Sequence, residues 1–299
     1  MIPNMKFYVI SIVAIFAALG IGIYIGFTLD AQSIIVEQKE DIAAKIEERF
    51  DFLSDENKRL KGAIEAVEKE KDMYKDFIDS TYEQIVKGKL NGLKVAIIET
   101  KSDYMYSGVG QILETAGASI INITTINDRI LNEELLAEEV YKELDISAVD
   151  NQLISKALVE LTHSILAGEE TELVSKLIEK GFIDVVGLIN KSVDYVIIAG
   201  GSTQEEKERL NLIDKVIIDT AKALDKQVIG IEKENTNFSY MEAYKKFRIS
   251  TVDNVNSNIG KVSLVLAMEG RPGHYGVKAT AEEITPKSNL PPIEYSKER

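Results

Sequence analysis

The sequence of 299 residues contains no cysteine and no tryptophan, and only two histidines, His163 and His274. Without cysteine, disulfides, thiolate zinc sites, iron–sulfur clusters and thiol catalysis are excluded. Two histidines leave little for histidine-based catalysis or a histidine-rich metal site. Basic residues are also few, 35 against 49 acidic ones. The resulting net charge of −14 argues against a nucleic-acid partner, because phosphate binding needs a basic surface.

Residues 1–30 are dominated by an uncharged apolar run at positions 7–29, FYVISIVAIFAALGIGIYIGFTL. As a helix this run is roughly 34 Å long, at about 1.5 Å per residue, which is enough to cross a bilayer core of about 30 Å. A buried helix of a soluble protein is one alternative. A cleaved signal peptide is another, although its apolar region is normally about 7–15 residues long. The run therefore predicts a transmembrane anchor at residues 1–30.

The charges that flank the apolar run predict its orientation. Lys6 and the α-amino group precede the run, and Asp30 follows it. Because positively charged flanks stay on the cytoplasmic side, we expect the N-terminus in the cytoplasm and the rest of the chain outside it. The sequence thus predicts a single-pass protein of the cell membrane with an extracytoplasmic bulk.

Residues 31–90 carry apolar side chains at alternating steps of three and four, between positions 36 and 85. Sustained heptads with charged flanks predict a coiled coil, and polar residues at a positions, here Asn57 and Lys71, are typical of a pair with a fixed register. A self-associating stalk is the favoured interpretation, and the alternative is a helix that packs on its own globular domain. The residues predicted to form the dimer are Phe50, Leu53, Asn57, Leu60, Ile64, Val67, Lys71, Tyr74 and Ile78.

Residues 91–285 alternate short runs rich in Val and Ile with helical sequence. This alternation predicts an extracytoplasmic α/β domain with a parallel sheet, covered by helices on both faces, in a Rossmann-like or flavodoxin-like arrangement. The expected strands are residues 94–99, 119–124, 195–199, 227–231 and 247–250. The expected helices are residues 108–116, 204–224 and 258–268.

Two stretches break this alternation. Residues 128–190 contain helical segments near 133–144, 149–166 and 171–180, and they predict a helical insertion between the second and third strands. Residues 286–299 hold three of the five prolines among polar residues, and they predict a flexible tail.

Polar residues follow the strands at the edge of the sheet where ligands bind in doubly wound folds. A Gly-Gly-Ser-Thr turn that opens a helix can hold an anion with its backbone N–H groups, although the same residues also form an ordinary glycine turn and helix cap. The Gly-His-Tyr-Gly loop carries functional side chains but equally suits a structural turn. The predicted ligand pocket comprises Thr100, Lys101, Gly200, Gly201, Ser202, Thr203, His274 and Tyr275.

The sequence lacks the common motifs of catalysis and cofactor binding. Residues 107–110 contain Gly-x-Gly without the third glycine of a dinucleotide site, and there is no P-loop, no Gly-x-Ser-x-Gly and no His-Glu-x-x-His. We therefore predict no catalytic residue, no cofactor and no enzymatic activity, and the residues themselves identify no metal site.

One apolar span, a heptad stalk and a domain that begins with KVAIIET occur together with the ending VDNVNSNIGKVSLVLAMEGRPGHYGVKATAEEITP. This combination resembles the family of mycobacterial copper transport protein B, which includes actinobacterial septal proteins with a membrane-anchored coiled coil. The resemblance covers about residues 5–286 and is most specific at residues 253–286, above all in GHYGV at 273–277. It implies a role in copper transport or homeostasis across the cell envelope. The septal members imply a scaffold that binds an envelope protein partner.

Copper is implied by this resemblance alone. Cu(I) prefers thiolate and thioether ligands, and the six methionines, at positions 1, 5, 73, 105, 241 and 268, are scattered along the sequence. Three functional hypotheses stay open. They are copper transport across the envelope, a dimeric coiled-coil scaffold for an envelope or septal protein, and a small-ligand-binding or enzymatic α/β domain.

Overall fold

A computed structural model describes residues 5–104, 106–146 and 152–287 of the chain. Its contacts fall into two compact units, Met1–Tyr74 and Lys75–Arg299. The described residues of the first unit form one helix, the N-terminal part of α1 (Met5–Val86). The second unit contains the last turns of α1 and the α/β domain.

The first turns of α1 have the length and composition of a membrane span or a signal sequence. Met5–Leu29 covers 25 residues with a mean hydropathy of 2.5, and none of this window is buried in the structure. Within the part of the chain that the structure describes, it is the one helix long and apolar enough to cross a membrane. Because apolar side chains exposed to water are unfavourable, this segment requires an apolar environment.

Beyond this segment, the first unit exposes a row of large apolar side chains along α1. They recur at steps of three, four or seven residues, so they lie on one face, and each is 48–71% exposed. Asn57 lies within the row and donates its Nδ2 to the carbonyl oxygen of Leu53 at 3.3 Å. Because a single chain leaves the row uncovered, the coiled coil stays a prediction. This row, called the heptad stripe below, comprises Ile42, Ile46, Phe50, Leu53, Leu60, Ile64, Val67 and Tyr74.

The second unit is built around a seven-stranded sheet. In chain order its strands are β1 (Lys94–Glu99), β2 (Ser119–Ile126), β3 (Ile183–Gly187), β4 (Tyr195–Ala199), β5 (Gln227–Ile231), β6 (Ser250–Val252) and β7 (His274–Tyr275). Their order across the sheet is β3-β2-β1-β4-β5-β6-β7. The chain passes outward from β1 to β2 and later returns to β4 on the other side of β1. The order therefore reverses between β1 and β4.

Helices and helical turns connect the strands. The helices are α2 (Ser107–Thr115), α3 (Glu133–Leu136), α4 (Leu153–Ala167), α5 (Glu172–Glu179), α6 (Lys207–Arg209), α7 (Lys215–Ala223), α8 (Met241–Lys246) and α9 (Asn258–Met268). A 3₁₀ turn precedes α3 at Asp128–Leu131, a π-helical turn follows α3 at Ala137–Tyr141, and a second π-helical turn at Leu210–Asp214 joins α6 to α7.

Alternate side chains of the central strands enter two different apolar cores. In β1, Ala96 and Ile98 belong to the core that contains side chains of α4, α5 and α7. Val95 and Ile97 belong to the core that contains side chains of α2 and α9. Because successive residues of a strand point to opposite faces, the sheet is covered on both sides, as the continuous Val and Ile runs predict.

The central strands confirm the sequence prediction, and one edge of the sheet departs from it. The strands predicted at residues 94–99, 195–199 and 227–231 have these bounds in the structure. The region predicted as a helical insertion contains helices but also β3, which pairs antiparallel to β2. The sheet is therefore mostly, not wholly, parallel. Alternation of strands with helices predicts parallel neighbouring strands. It therefore does not predict an edge strand that runs antiparallel to its neighbour.

The C-terminal part of the sheet differs in detail from the prediction. The strand expected at residues 247–250 begins only at Ser250, because Phe247 closes α8 and Arg248 adopts a left-handed backbone conformation with φ of 58°. The loop expected near residue 274 includes β7, which pairs with β6. Of the predicted flexible tail, residues 288–299 lie outside the described residues.

The last turns of α1 belong to the core of the α/β domain. Val86 is fully buried, and Tyr82 packs against the core on the α2 and α9 side of the sheet. Asn258, at the start of α9, donates its Nδ2 to the Asp79 carboxylate at 2.6 Å. Nζ of Lys261 lies 5.9 Å from the centre of the Tyr82 ring. For these turns, the alternative of a helix that packs on its own domain is therefore correct.

We expect Val86→Ala to lower the free energy of unfolding of the α/β domain by about 2 kcal/mol, because the substitution removes buried methyl groups and leaves a cavity. The neighbouring exposed residue provides the control, since Gln84→Ala should change this free energy by less than about 0.5 kcal/mol. Urea unfolding followed by tyrosine fluorescence measures both values, as the chain has no tryptophan. Equal values for the two variants would contradict the burial of α1 in this core.

Candidate functional site

The carboxyl ends of β1 and β4 lie side by side where the strand order reverses, which is the usual ligand position in open α/β sheets. Thr100 and Lys101 follow β1, and the Gly-Gly-Ser-Thr turn at residues 200–203 follows β4. The two segments touch, because Lys101 donates its Nζ to Oγ of Ser202 at 3.3 Å. The structure therefore brings together six of the eight residues predicted to form a ligand pocket.

Lys101 is the centre of a group of paired charges at these strand ends. Its side chain is only 6% exposed, and its Nζ donates to Oε1 of Glu206 at 2.7 Å. Oδ2 of Asp103 lies 3.5 Å from the same nitrogen. A buried ammonium group needs such partners, because an unpaired charge away from water is strongly unfavourable.

Asp103 connects the loop after β1 to the turn after β4. Its Oδ2 accepts hydrogen bonds from the backbone N–H of Thr203 at 2.7 Å, from the Thr203 hydroxyl at 2.6 Å and from the Ser202 hydroxyl at 3.3 Å. Burial acts to raise the pKa of Asp103, but the hydrogen bonds from Thr203 and the charge of Lys101 outweigh it, and the pKa is lowered. Asp103 is therefore a carboxylate at neutral pH, and it clamps the two loops together.

Close packing accounts for both glycines of the turn. A Cβ atom on Gly200 would lie 2.0 Å from Oη of Tyr244. Gly201 has a φ of 91°, and a Cβ atom there would lie 2.6 Å from Cγ2 of Thr236. The carbonyl oxygen of Gly200 accepts a hydrogen bond from the Tyr106 hydroxyl at 2.6 Å. The glycines are thus required by neighbouring protein atoms, whether or not an anion binds at the turn.

A buried carboxylate lies beside the same strand ends, at the end of the π-helical turn between α6 and α7. Asp214 is fully buried, and its Oδ1 accepts hydrogen bonds from the Thr100 hydroxyl at 2.9 Å and from the Tyr244 hydroxyl. Burial raises the pKa of Asp214 to about 6, although the hydrogen bonds from Tyr244 and Thr100 and the charge of Arg209 oppose the shift. This group therefore changes charge near neutral pH inside the core.

Arg209 joins the ends of β1 and β2. The residue is 3% exposed, and its Nη2 donates to the carbonyl oxygens of Thr100 at 2.6 Å and Ile126 at 3.2 Å. Its Nη1 donates to Oδ1 of Asp128 at 2.7 Å. The guanidinium group satisfies carbonyl oxygens that the ends of the strands leave without ladder partners.

A second charge pair follows β5. Glu232 is fully buried, and it is bonded to Nζ of Lys278, which also donates to the carbonyl oxygen of Lys233 at 2.9 Å. Burial raises the pKa of Glu232 against the effect of Lys278. The backbone N–H groups of Val277 and Lys278 donate to the Asp253 carboxylate at 2.8 and 3.0 Å. The loop after β7 is thus held over the ends of β5 and β6.

The remaining two predicted residues, His274 and Tyr275, lie elsewhere. They form β7, which is separated from β4 by β5 and β6. The Tyr275 hydroxyl donates to the carbonyl oxygen of Arg271 at 3.0 Å, and Nδ1 of His274 lies 3.0 Å from Oγ1 of Thr251. Burial lowers the pKa of His274. Both side chains therefore support the edge of the sheet at β7. From the loop after β7, Lys278 reaches the end of β5.

The charges at the strand ends compensate one another. Lys101 is paired with Glu206 and Asp103, and Lys278 is paired with Glu232. A ligand would have to replace one of these internal bonds, and the ligand pocket stays a prediction. Sequence reasoning missed Asp103 and Glu206, which lie within a few residues of the strand ends, and also Asp214 and Lys278, for which no local pattern gives a signal.

Side chains suited to copper do not converge in the described part of the chain. No group of three or more His, Cys, Asp or Glu side chains there has a geometry that could hold a metal ion. Met241 is buried in the core on one side of the sheet, and Met268 in the core on the other side. Met73 is exposed on the helix of the first unit. These residues therefore do not fit a common thioether site for Cu(I).

An apolar helix of membrane-spanning length, followed by a long helix and a mostly parallel seven-stranded sheet, defines a membrane-associated α/β protein. The family model described as Copper transport outer membrane protein, MctB, matches residues 1–286. The chain therefore belongs to this family, which confirms the resemblance seen in the sequence and relates the chain to copper transport and to the cell envelope. A search of curated proteins found no match.

Asp214 predicts a pH dependence of stability that one substitution should remove. Because its pKa is raised to about 6 in the folded chain, the folded state keeps a proton that the unfolded state loses from about pH 4 upward. Its contribution to the free energy of unfolding is therefore full below about pH 4 and falls by about 3 kcal/mol as the pH rises through 6. Asp214→Asn should flatten this part of the profile.

Urea unfolding at several values between pH 4 and pH 7 measures the effect. Asp219→Asn is the matched control, because Asp219 is an exposed residue of α7 paired with Lys215, and it should keep the wild-type profile. A profile of Asp214→Asn that is parallel to the wild-type profile would contradict the assignment of this proton to Asp214.

Proposed function

We propose that the chain is a single-pass envelope protein of the copper transport family that acts as a scaffold. In this proposal Met5–Leu29 is the membrane anchor, the N-terminus is cytoplasmic, and the α/β domain is held outside the cytoplasm for a protein partner. The observation that carries the proposal is the fully exposed apolar segment Met5–Leu29, continuous with the helix whose last turns are buried in the α/β domain.

The charges near the anchor support its orientation. Lys6 precedes the apolar segment, whereas Asp30 follows it and the whole chain has a net charge of −14. A positively charged flank favours the cytoplasmic side. The net negative charge, in turn, disfavours contact with the anionic lipids of the cytoplasmic leaflet.

A scaffold also accords with the chemistry of the strand ends. Buried charges such as Lys101 and Glu232 already have partners within the domain, so these groups stiffen the loops and hold the surface in one conformation. The described methionines lie in separate places. We therefore propose that copper is handled by the complex that this protein organises, with copper as its cargo.

The strand order supports a finer assignment of the fold. Counted among the parallel strands alone, the order from β2 to β7 is 2-1-3-4-5-6. The flavodoxin-like arrangement has the order 2-1-3-4-5. We propose that the domain is a flavodoxin-like sheet extended by β7 at one edge and by the antiparallel β3 at the other.

Cysteine labelling tests the anchoring and its orientation, because the chain has no native thiol. In spheroplasts, a membrane-impermeant maleimide should label Glu179→Cys, which lies in an exposed turn of α5. Asn4→Cys, on the other side of the apolar segment, should react only after lysis. The reverse pattern would contradict the orientation, and recovery of the chain in the soluble fraction would contradict the anchor.

Copper analysis tests the scaffold part of the proposal. Deletion of the gene should change the copper content of the cells, whereas the purified chain in detergent should bind less than one Cu(I) per chain by calorimetry. After chemical crosslinking in membranes and pull-down, copper should be found with the crosslinked complex. Stoichiometric Cu(I) bound by the purified chain alone would contradict the scaffold, and an unchanged copper content in the deletion strain would contradict a role in copper homeostasis.

A further inference from the structure

We infer that the heptad stripe binds a second copy of this chain as a parallel, in-register two-stranded coiled coil. The inference goes beyond the proposed anchoring and does not require it. The exposed apolar side chains of the stripe indicate the partner, and the charged residues beside the stripe indicate the relative direction of the two helices. Anchoring in one bilayer would favour the same direction, since both helices would leave the membrane on the same side.

The stripe is suited to a helix because its spacing matches the seam of a coiled coil. From Ile46 to Tyr74 its side chains occupy a and d positions, with Phe50 and Ile64 at a positions and Leu53, Leu60 and Val67 at d positions, and with Asn57 and Lys71 at the two remaining a positions. This alternation averages 3.5 residues, the repeat that keeps two supercoiled helices in contact. The exposed stripe in one chain is therefore one half of a seam that an identical stripe completes.

Asn57 favours an in-register pair of two helices. It occupies an a position between Leu53 and Leu60, and in the single chain its amide donates only to the helix backbone, at 3.3 Å from the oxygen of Leu53. An asparagine at an a position is best satisfied when it meets the same residue of the partner, and it then fixes both register and oligomer state. In a register shifted by one heptad it would face Phe50 or Ile64.

The charges beside the seam select the parallel direction. In a parallel pair, each g position faces the e position five residues further along the partner. This rule pairs Glu56 with Lys61 of the second copy and, two heptads on, Glu70 with Lys75, so each contact joins opposite charges. An antiparallel pair would bring g to g and e to e, and neither glutamate would meet these lysines.

At the end of α1 that packs on the α/β domain, the seam is covered in part. In the second unit, α1 packs on the domain through Asp79, Tyr82 and Val86, which lie at b and e positions of the same heptads. Ile85, at an a position, is 42% exposed. Ile78 and Thr81, at a and d positions, are half-buried, so the seam is most exposed ahead of Ile78.

Single cysteines in the 299-residue chain, purified in detergent, test direction and register together. Leu53→Cys and Val67→Cys lie at d positions about 21 Å apart along the helix, and Lys69→Cys is the control at an f position on the opposite face. Under mild oxidation with oxidised glutathione, both d-position variants should form disulfide-linked dimers at least about tenfold faster than Lys69→Cys, since only facing thiols meet the geometry of the bond. Equal rates of disulfide formation for all three variants would contradict pairing through the heptad stripe. Disulfide formation by only one of the two d-position variants would contradict a parallel, in-register pair.

Charge reversal tests the pairing beside the seam by sedimentation of the same chain. Lys61→Glu places like charges opposite each other twice per dimer and should raise the dissociation constant about five- to tenfold. Glu56→Lys combined with Lys61→Glu should restore it to within about twofold. Lys69→Glu is the control at an f position, on the face opposite the seam, and should have less than half this effect. A single copy at all concentrations, or no rescue by the double variant, would overturn the inference, whereas the labelling result for membrane orientation would be unaffected.

Discussion

The parallel pairing of β1 with β4 is the constraint on which the rest of the α/β domain depends. Both strands are buried on both faces, so their Val and Ile side chains hold two apolar cores together. The pairing also places Thr100 beside the Gly200–Gly201 turn, although the two segments are far apart in sequence. The contacts of Lys101 and Asp103 with the turn after β4 follow from this juxtaposition.

The polar groups at the strand ends connect separate loops through hydrogen bonds and ion pairs. Asp103 ties the loop after β1 to the turn after β4, Arg209 ties β1 to β2, and Lys278 ties the last loop to β5. Such buried pairs contribute little net stability, because desolvation offsets most of their attraction, but removing one partner is costly. Their effect is to hold these loops in one arrangement.

Much of the central fold was predictable because its physical cause is local. The runs KVAIIE and YVIIA consist of apolar and β-branched residues with turn signals on either side, so they predict buried strands with the observed bounds. The sequence pattern places β3 within a predicted helical insertion. Alternation of strands and helices predicts parallel neighbours, whereas β3 pairs antiparallel to β2. The shift of β6 depended on the left-handed backbone of Arg248, a conformation that residue type does not predict.

The candidate site was predictable only in part for the same reason. The strand-end rule finds residues that follow a strand directly, such as Lys101 and Ser202. Asp214 reaches the site from the middle of a helical segment, and Lys278 reaches it from a loop after the last strand. Their positions depend on tertiary packing, so neither spacing nor composition marks them. His274 and Tyr275 are residue types that often occur in functional sites, but their side chains support the edge of the sheet.

The loop after β7 also sets a limit on how far the chain can be shortened from its C-terminal end. A polypeptide that stopped before Val277 would leave the carboxylates of Glu232 and Asp253 enclosed without their cation and amide donors. Ser263 in α9 donates to the carbonyl oxygen of Ile284 at 3.1 Å, so the fastened segment extends at least to that residue. The smallest self-sufficient form of the domain therefore includes residues that look, from their charge content, like a dispensable linker.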